Sequence, residues 1–296
     1  MGKFQHKRYN QNMYIAVDIG GSKILVAAGN EHHEILRSQK IKTPENGNVG
    51  IDQTAQLIKE VAGNDPIKAI SIAAAGPLDL DTGLIRRTSP NMHGWRGTNL
   101  VKPIRGDFKG VPVSLHIDPV AAAITETTIG VAVGQPYVLY ITISTGIGVA
   151  LIVHGEPYQG LHNLEAGHII IDPDGPPCGC GGRGHFESMS SGKAIKQRFG
   201  KYGYEIKDPA VWNEIAATMA LGFHSLIEAY SPSMVVVGGG VGVHYDQFHR
   251  FLIAHLGKLT PMFDLPPIVQ AKYVETGVIY GALILASRAV QSTTAA

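Results

Sequence analysis

The sequence predicts an α/β protein built in two halves, and three observations carry that reading. Short β-favouring runs alternate with helical apolar stripes along the whole chain. Glycine-rich turns close two successive strand pairs. The 296 residues are 44% apolar and only 17% charged, enough apolar material for a sizeable core and too little charge for disorder. At roughly 150 residues per domain, that length suits about two domains.

The elements follow in order. Met13 to Val17 (MYIAV) stops at Asp18 and Gly20, and Ile24 to Ala28 (ILVAA) resumes after Lys23, which describes a hairpin with a glycine turn. Asn48 is placed to cap a helix with Ile51, Ala55, Ile58 and Ala62 on one face, ended by Gly63-Asn64-Asp65-Pro66. A strand at Ala69 to Ala75 ends at Gly76-Pro77. From Leu78 to Arg105 the turn formers, including Ser89-Pro90-Asn91 and Gly94-Trp95-Arg96-Gly97, read as loops around a site. A strand at Val111 to His116 leads into Asp118-Pro119 and a helix through AAAITET, proline being suited to a first helical turn.

The second half repeats the theme. Tyr137 to Ile143 and Val149 to Val153 form another hairpin around Ser144-Thr145-Gly146-Ile147-Gly148. A helical stripe of Val211, Ile215, Met219, Phe223, Leu226 and Tyr230 follows Asp208-Pro209, and Met234 to Val237 runs into Gly238-Gly239-Gly240. Val278 to Val290 is a last helix with small residues for close packing. The expected domains are therefore 13–118, joined by the helix 278–292 folding back, and 119–277, with 1–12 a loose extension or tag remnant.

Composition narrows the partners. Lys and Arg number 25 against 24 Asp and Glu, a net charge of +1, which leaves no basic excess to neutralise nucleic-acid phosphates. The polar opening leads into no secretory apolar stretch, and no run of about 18 apolar residues occurs. Two cysteines that stand only two residues apart cannot staple a fold. The expectation is a cytoplasmic protein that binds neither nucleic acid nor membrane.

Glycine supplies 36 of 296 residues, and three glycine turns end strands: Asp18-Ile-Gly20-Gly21-Ser22-Lys23, Ser144 to Gly148, and Gly238 to Gly242. Glycine lets backbone amides approach an anion, and hydroxyls such as Ser22 and Thr145 add hydrogen bonds to phosphate. Together the turns could hold a nucleoside triphosphate, although each alone also reads as a plain hairpin. No G-x-x-x-x-G-K-[ST] occurs, and the G-x-G-x-x-G at Gly179, Gly181 and Gly184 is a chance match that follows no strand. Asp18 could hold the Mg²⁺ of a nucleotide or simply form the turn.

Both cysteines lie in Cys178-Gly-Cys180-Gly-Gly-Arg-Gly-His185, with His168 upstream in Glu165-Ala-Gly-His168. Two thiolates and two imidazoles are enough for a closed structural zinc site, and inert thiols beside surface histidines are the alternative. Asp118, at a strand end and helix start, is the candidate general base for phosphoryl transfer to an alcohol, or an ordinary cap. Glu165, His168 and Glu187 could bind sugar hydroxyls.

These segments, VDIGGSK, SIAAAGPLD, SPN, HIDPVAAA, ISTGIGVAL, EAGH, CGCGGRGHFES and VVVGGG, together resemble the ROK family from about Met13 to Ala286. The resemblance implies a two-domain actin-like ATPase (ribonuclease H-like) fold with a cleft between the domains that closes over sugar. It implies an ATP- and Mg²⁺-dependent hexose kinase, glucokinase-like or N-acetylmannosamine kinase-like, with structural Zn²⁺ and a homodimeric assembly, the alternative being a non-catalytic sugar-binding or sensing protein of the same family. Gly20, Gly21, Ser22 and Lys23 match its first phosphate motif, Thr145, Gly146 and Gly148 its second, and Gly239 and Gly240 the part near adenosine. Asp118 matches the catalytic base, and Gly76, Asn91, Glu165, His168 and Glu187 match sugar-contacting positions, His168 serving zinc as well. The chain departs from the pattern at Ile117, where the family carries Asn, and at His185, where it carries a third cysteine. Val120, Val149 and a shortened segment before His168 also differ. A repressor of the same family needs a helix-turn-helix ahead of VDIGGSK, and the twelve polar residues before Met13 are expected to be too few for one.

Overall fold

Fully buried Ile15, Val17 and Ile19 alternate with Ala16, and Ile24, Val26 and Ala28 do the same one strand over. They place β1 (Met13–Ile19) and β2 (Lys23–Gly29) inside a five-stranded sheet. The computed structural model describes residues 12–86, 92, 94–259 and 264–294. The chain continues through β3 (Ile35–Lys42), α1 (Gly47–Ala62), β4 (Ile67–Ala74), the two-residue strands β5 (Leu78–Asp79) and β6 (Leu84–Ile85), α2 (Lys102–Asp107) and β7 (Val113–Ile117). The sheet order is β3-β2-β1-β4-β7, with β1 antiparallel to β2 and parallel to β4. The cap of α1 is Asn46, not Asn48. Its side chain accepts from the amides of Asn48 (3.0 Å) and Val49 (3.2 Å), which satisfies two orphan donors of the first turn.

The following elements are α3 (Asp118–Thr128), β8 (Tyr137–Ile143), β9 (Ile147–Val153), β10 (Glu156–Pro157), α4 (Phe186–Ser190), α5 (Gly192–Phe199) and α6 (Pro209–Tyr230). Then come β11 (Met234–Gly238), the single turn α7 (Gly239–Gly242), α8 (Tyr245–Leu259), β12 (Ile268–Gln270) and α9 (Gly277–Thr294). The second sheet runs β10-β9-β8-β11-β12, and again its leading hairpin is antiparallel while the next strand pairs in parallel. Each sheet therefore carries a glycine turn at the same topological place, between its central strand and the hairpin partner.

The chain divides into two units, between Ile117 and Asp118 and again inside α9 after Gly281. In the first, Leu283 of α9 packs so closely on Gly29 that a Cβ there would meet its Cδ2, and His33 Nε2 lies 3.0 Å from Ser287 Oγ. In the second, α6 and α8 bury Trp212, Phe223, Phe248 and Leu252 against the sheet. Thr125 Oγ1 donates to the Gly277 carbonyl at 2.6 Å, and Gly281 sits where any side chain would overlap the Ala121 carbonyl, which locks the start of α9 onto α3. Glu126, 1% exposed, accepts from the Val131 amide (3.0 Å) and the Tyr273 amide (2.7 Å). A buried carboxylate is tolerated because both oxygens are hydrogen-bonded. Among the described residues no helix is long and apolar enough to cross a membrane.

Candidate active site

The first glycine turn is braced from one side. Gly20 N–H donates to the Lys23 carbonyl at 3.0 Å, Thr43 Oγ1 donates to the Gly20 carbonyl at 2.6 Å, and Thr43 N–H donates to the Ser22 carbonyl at 3.2 Å. These bonds fix the backbone of Gly20, Gly21 and Ser22 while the Ser22 and Lys23 side chains remain exposed. Beside the turn lies a cavity of about 450 Å³, bordered by Gly21, Thr43, Glu45, Met92 and Trp95, a size suited to a small ligand. Its wall is held by Trp95 Nε1 donating to the Pro44 carbonyl at 2.8 Å.

Asp18, at the end of β1, has its carboxyl pKa pushed up to about 6 by burial, against the opposing pull of Lys23. Because the folded pKa lies above the usual 3.8, the folded state binds more protons between pH 4 and 6, and stability falls as pH rises through that window. The cost is complete above it. Asp18→Asn is therefore expected to stabilise the ligand-free protein at pH 8 by about 3 kcal/mol, with the gain vanishing near pH 4. Urea unfolding of both proteins across pH 4–8 checks this, and a gain independent of pH contradicts it.

In the second unit the turn between β8 and β9 is gripped at several points. Ser144 N–H donates to the Gly146 carbonyl at 2.8 Å, and Gly192 N–H donates to the Ser144 carbonyl at 2.7 Å. Ile147 N–H donates to Glu187 Oε2 at 2.9 Å. A Cβ at Gly148 would come within 3.0 Å of the Pro119 ring, so the turn also abuts the head of α3, where Asp118 is the first residue. Gly239, with φ +83°, lies against the Ile143 carbonyl and Thr142, leaving no space for a side chain, and a Cβ at Gly240 would face Ser144 Oγ at 3.8 Å. Thr145, Gly146, Gly148, Gly239, Gly240 and Asp118 thus share one neighbourhood.

His168, Cys178, Cys180 and His185 converge, their ligand atoms all within 4.8 Å of one another. Cys178 Sγ lies 3.6 Å from His168 Nδ1, and Cys180 Sγ lies 3.3 Å from His185 Nδ1. Zn–S bonds near 2.3 Å and Zn–N bonds near 2.0 Å put tetrahedral donors about 3.3–3.8 Å apart, so the set fits a tetrahedral ion with slight contraction. Hydrogen bonds from Ile171 and Asp172 amides to the Gly184 carbonyl and from Cys178 N–H to the Gly182 carbonyl fold the loop back on itself. His185 directly precedes α4, whose second residue is Glu187. Glu165 caps the short 3₁₀ turn that carries His168, and partial desolvation raises its carboxyl, opposed by His168 and reinforced by Glu187.

Gly76 closes the loop after β4 in a cis peptide with Pro77, and Asn91 lies outside the described residues. The Gly179, Gly181, Gly184 match follows no strand and belongs to the Cys/His loop, but it does lead into a helix, since α4 begins two residues after Gly184. Thr43, Gly167, Gly192 and the Ile147 amide join the site without any sequence signal of their own, since each acts through backbone geometry or a distant contact.

Fold and site define an α/β protein of the actin-like ATPase fold with paired glycine turns. The chain belongs to the ROK family, whose model matches residues 14–289, and it stands with that family's sugar kinases. It is 30% identical to a fructokinase of Zymomonas mobilis, covering 80% of this chain and 82% of that one. A ROK hexokinase from Thermus thermophilus superposes with a TM-score of 0.83 at 27% identity, covering 95% and 99%. A ROK family glucokinase from Streptomyces griseus, solved with glucose and AMPPNP, superposes with a TM-score of 0.80 at 26% identity, covering 94% and 100%.

Proposed function

We propose that the protein is an ATP- and Mg²⁺-dependent hexose kinase that transfers the γ-phosphoryl group to the 6-hydroxyl of glucose. The observation that carries this reading is the grouping, within the second unit, of a glycine turn, the Asp118 helix head and the Glu187 carboxylate, with Pro119 against Gly148 and Glu187 on Ile147. Such transfer needs positioning and charge stabilisation more than covalent help from the protein.

In this scheme backbone amides of Gly20, Gly21, Gly146 and Gly148, with Ser22, Lys23 and Thr145, hold the phosphates, and Gly239 and Gly240 border the nucleoside. Glu165, His168 and Glu187, with Gly76 and Asn91, orient the sugar. Asp118 accepts the proton of the 6-hydroxyl as that oxygen bonds to the γ-phosphorus, the bond to the β-bridging oxygen breaks, and ADP leaves with the electron pair. Asp18 would hold Mg²⁺ directly or through water, and the ion, when bound, neutralises phosphate charge. His168 Nδ1, Cys178, Cys180 and His185 Nδ1 would hold a structural zinc, which leaves His168 Nε2 for a sugar hydroxyl.

Ile117, buried at the end of β7 and paired with Ala74, offers no hydrogen bond to a sugar. Choice among hexoses then rests on Glu165, His168 and Glu187. Assay of glucose, fructose, mannose and N-acetylmannosamine with an ADP readout is expected to give the highest kcat/KM with glucose. Turnover confined to fructose or N-acetylmannosamine overturns the glucose assignment, and turnover of none overturns the kinase.

A further inference from the structure

Glu187 does more than face a sugar. One of its oxygens, Oε2, is already occupied by the Ile147 amide at 2.9 Å, and the Gly146 Cα lies beneath it so closely that a Cβ there would overlap this oxygen. Ile147 is held from its other side too, because a Cβ on Gly167 would overlap the Ile147 carbonyl. Gly167 sits between Glu165 and His168 in the same 3₁₀ turn. A third grip comes from Gly192 N–H on the Ser144 carbonyl at 2.7 Å, just beyond α4. The turn assigned to phosphates is thus suspended from the two segments assigned to sugar.

We propose that Glu187 is a positioning residue that ties the two substrates together: it binds the sugar through Oε1 and, through Oε2 on the Ile147 amide, sets the β8–β9 turn for nucleotide phosphate. This rests on the kinase reading above. In the ligand-free protein Glu187 is tied to Ile147 through one oxygen alone, and a sugar that fixes Oε1 removes the carboxylate's remaining freedom. The Ile147 amide, and Gly146 beside it, then hold one geometry instead of several, so the nucleotide binds a turn already ordered. The coupling is reciprocal, since the nucleotide that orders the turn also orders Glu187 for sugar.

Two measurements test this. In the first, Mg-AMPPNP is titrated calorimetrically into the protein with and without a saturating amount of the hexose that the ADP assay turns over best. Sugar is expected to tighten the nucleotide by at least about 5-fold in the parent. In Gly146→Ala, whose new methyl displaces Oε2, and in Glu187→Asp, which is too short to reach Ile147, the gain is expected to drop below about 2-fold. In the second, amide exchange at Ile147 is followed by NMR in ligand-free protein. It is expected to be slow in the parent and at least about 10-fold faster in Glu187→Ala, where a purely sugar-binding glutamate would leave it unchanged. Sugar-independent nucleotide affinity in the parent, full coupling in either shortened or crowded variant, or unaltered Ile147 exchange overturns the proposal. Failure of the kinase reading shows separately, as no hexose turned over, and removes the coupling with it. The exchange experiment needs no substrate, so it still reports whether Glu187 holds the turn.

Discussion

Asp118→Asn is expected to lower kcat by at least about 10²-fold while leaving hexose affinity within about 5-fold of the parent. The substitution keeps the shape of the side chain and an oxygen that accepts hydrogen bonds, and removes only the capacity to take a proton. Position matters for this clean separation. Asp118 is the first residue of α3, where asparagine keeps the side-chain shape and the lost helix-end charge costs about 0.3–1 kcal/mol. The variant should therefore fold, and calorimetric sugar binding together with the ADP assay separates turnover from recognition. Equal kcat in variant and parent removes Asp118 from the role of base. A drop in sugar affinity that matches the drop in kcat/KM makes it a binding residue instead.

Removal of the metal is expected to have the second largest effect. Protein purified without chelator should carry about one zinc per chain by elemental analysis, and both chelation and Cys178→Ser should lower Tm by about 10 °C or more. The reason lies in what else holds the loop. Between Ile171 and His185 it is stitched by a few backbone bonds, and among its side chains only Cys178 and His185 approach full burial. Few apolar contacts remain to keep it folded once the donors lose their common ion. Limited proteolysis should then cut between Asp172 and Arg183, and because His185 leads directly into α4, Glu187 should lose its grip on Ile147. A metal-free preparation with unchanged Tm and protease resistance contradicts a structural zinc.

The two hairpins and the Cys/His group were legible because each is a local pattern. Apolar runs flank the glycines of Asp18–Lys23 and Ser144–Gly148, and the chain has no cysteines besides Cys178 and Cys180 to confuse the spacing. What escaped notice depends on tertiary context. Glu126 looks like a solvent-facing position in AAAITET, and only the return of Tyr273 to α3 gives its carboxylate amides to bind. The bond from Ile147 to Glu187 spans forty residues and leaves no trace in either segment. Polar ILRSQKIK hides β3, which is an outer strand with alternating exposure, whereas α8 did carry a readable stripe in Phe248, Leu252 and Leu256. Asn46 and Asn48 are chemically equal caps, and the choice between them was made by Gly47 N–H donating to the Gly94 carbonyl at 3.2 Å, a contact from a distant loop.

The split membership of α9 bears on how the polypeptide matures. The ribosome releases Leu283 and Ser287 a full 254 residues after Gly29 and His33, which wait for them. The first unit must remain unfinished while all of Asp118–Gly281 is translated and can collapse on its own. Nascent chains arrested before Ala282 should accordingly protect Trp212 and Phe248 from a protease while the early hairpin stays vulnerable, making the docking of α9 the event that completes the first unit.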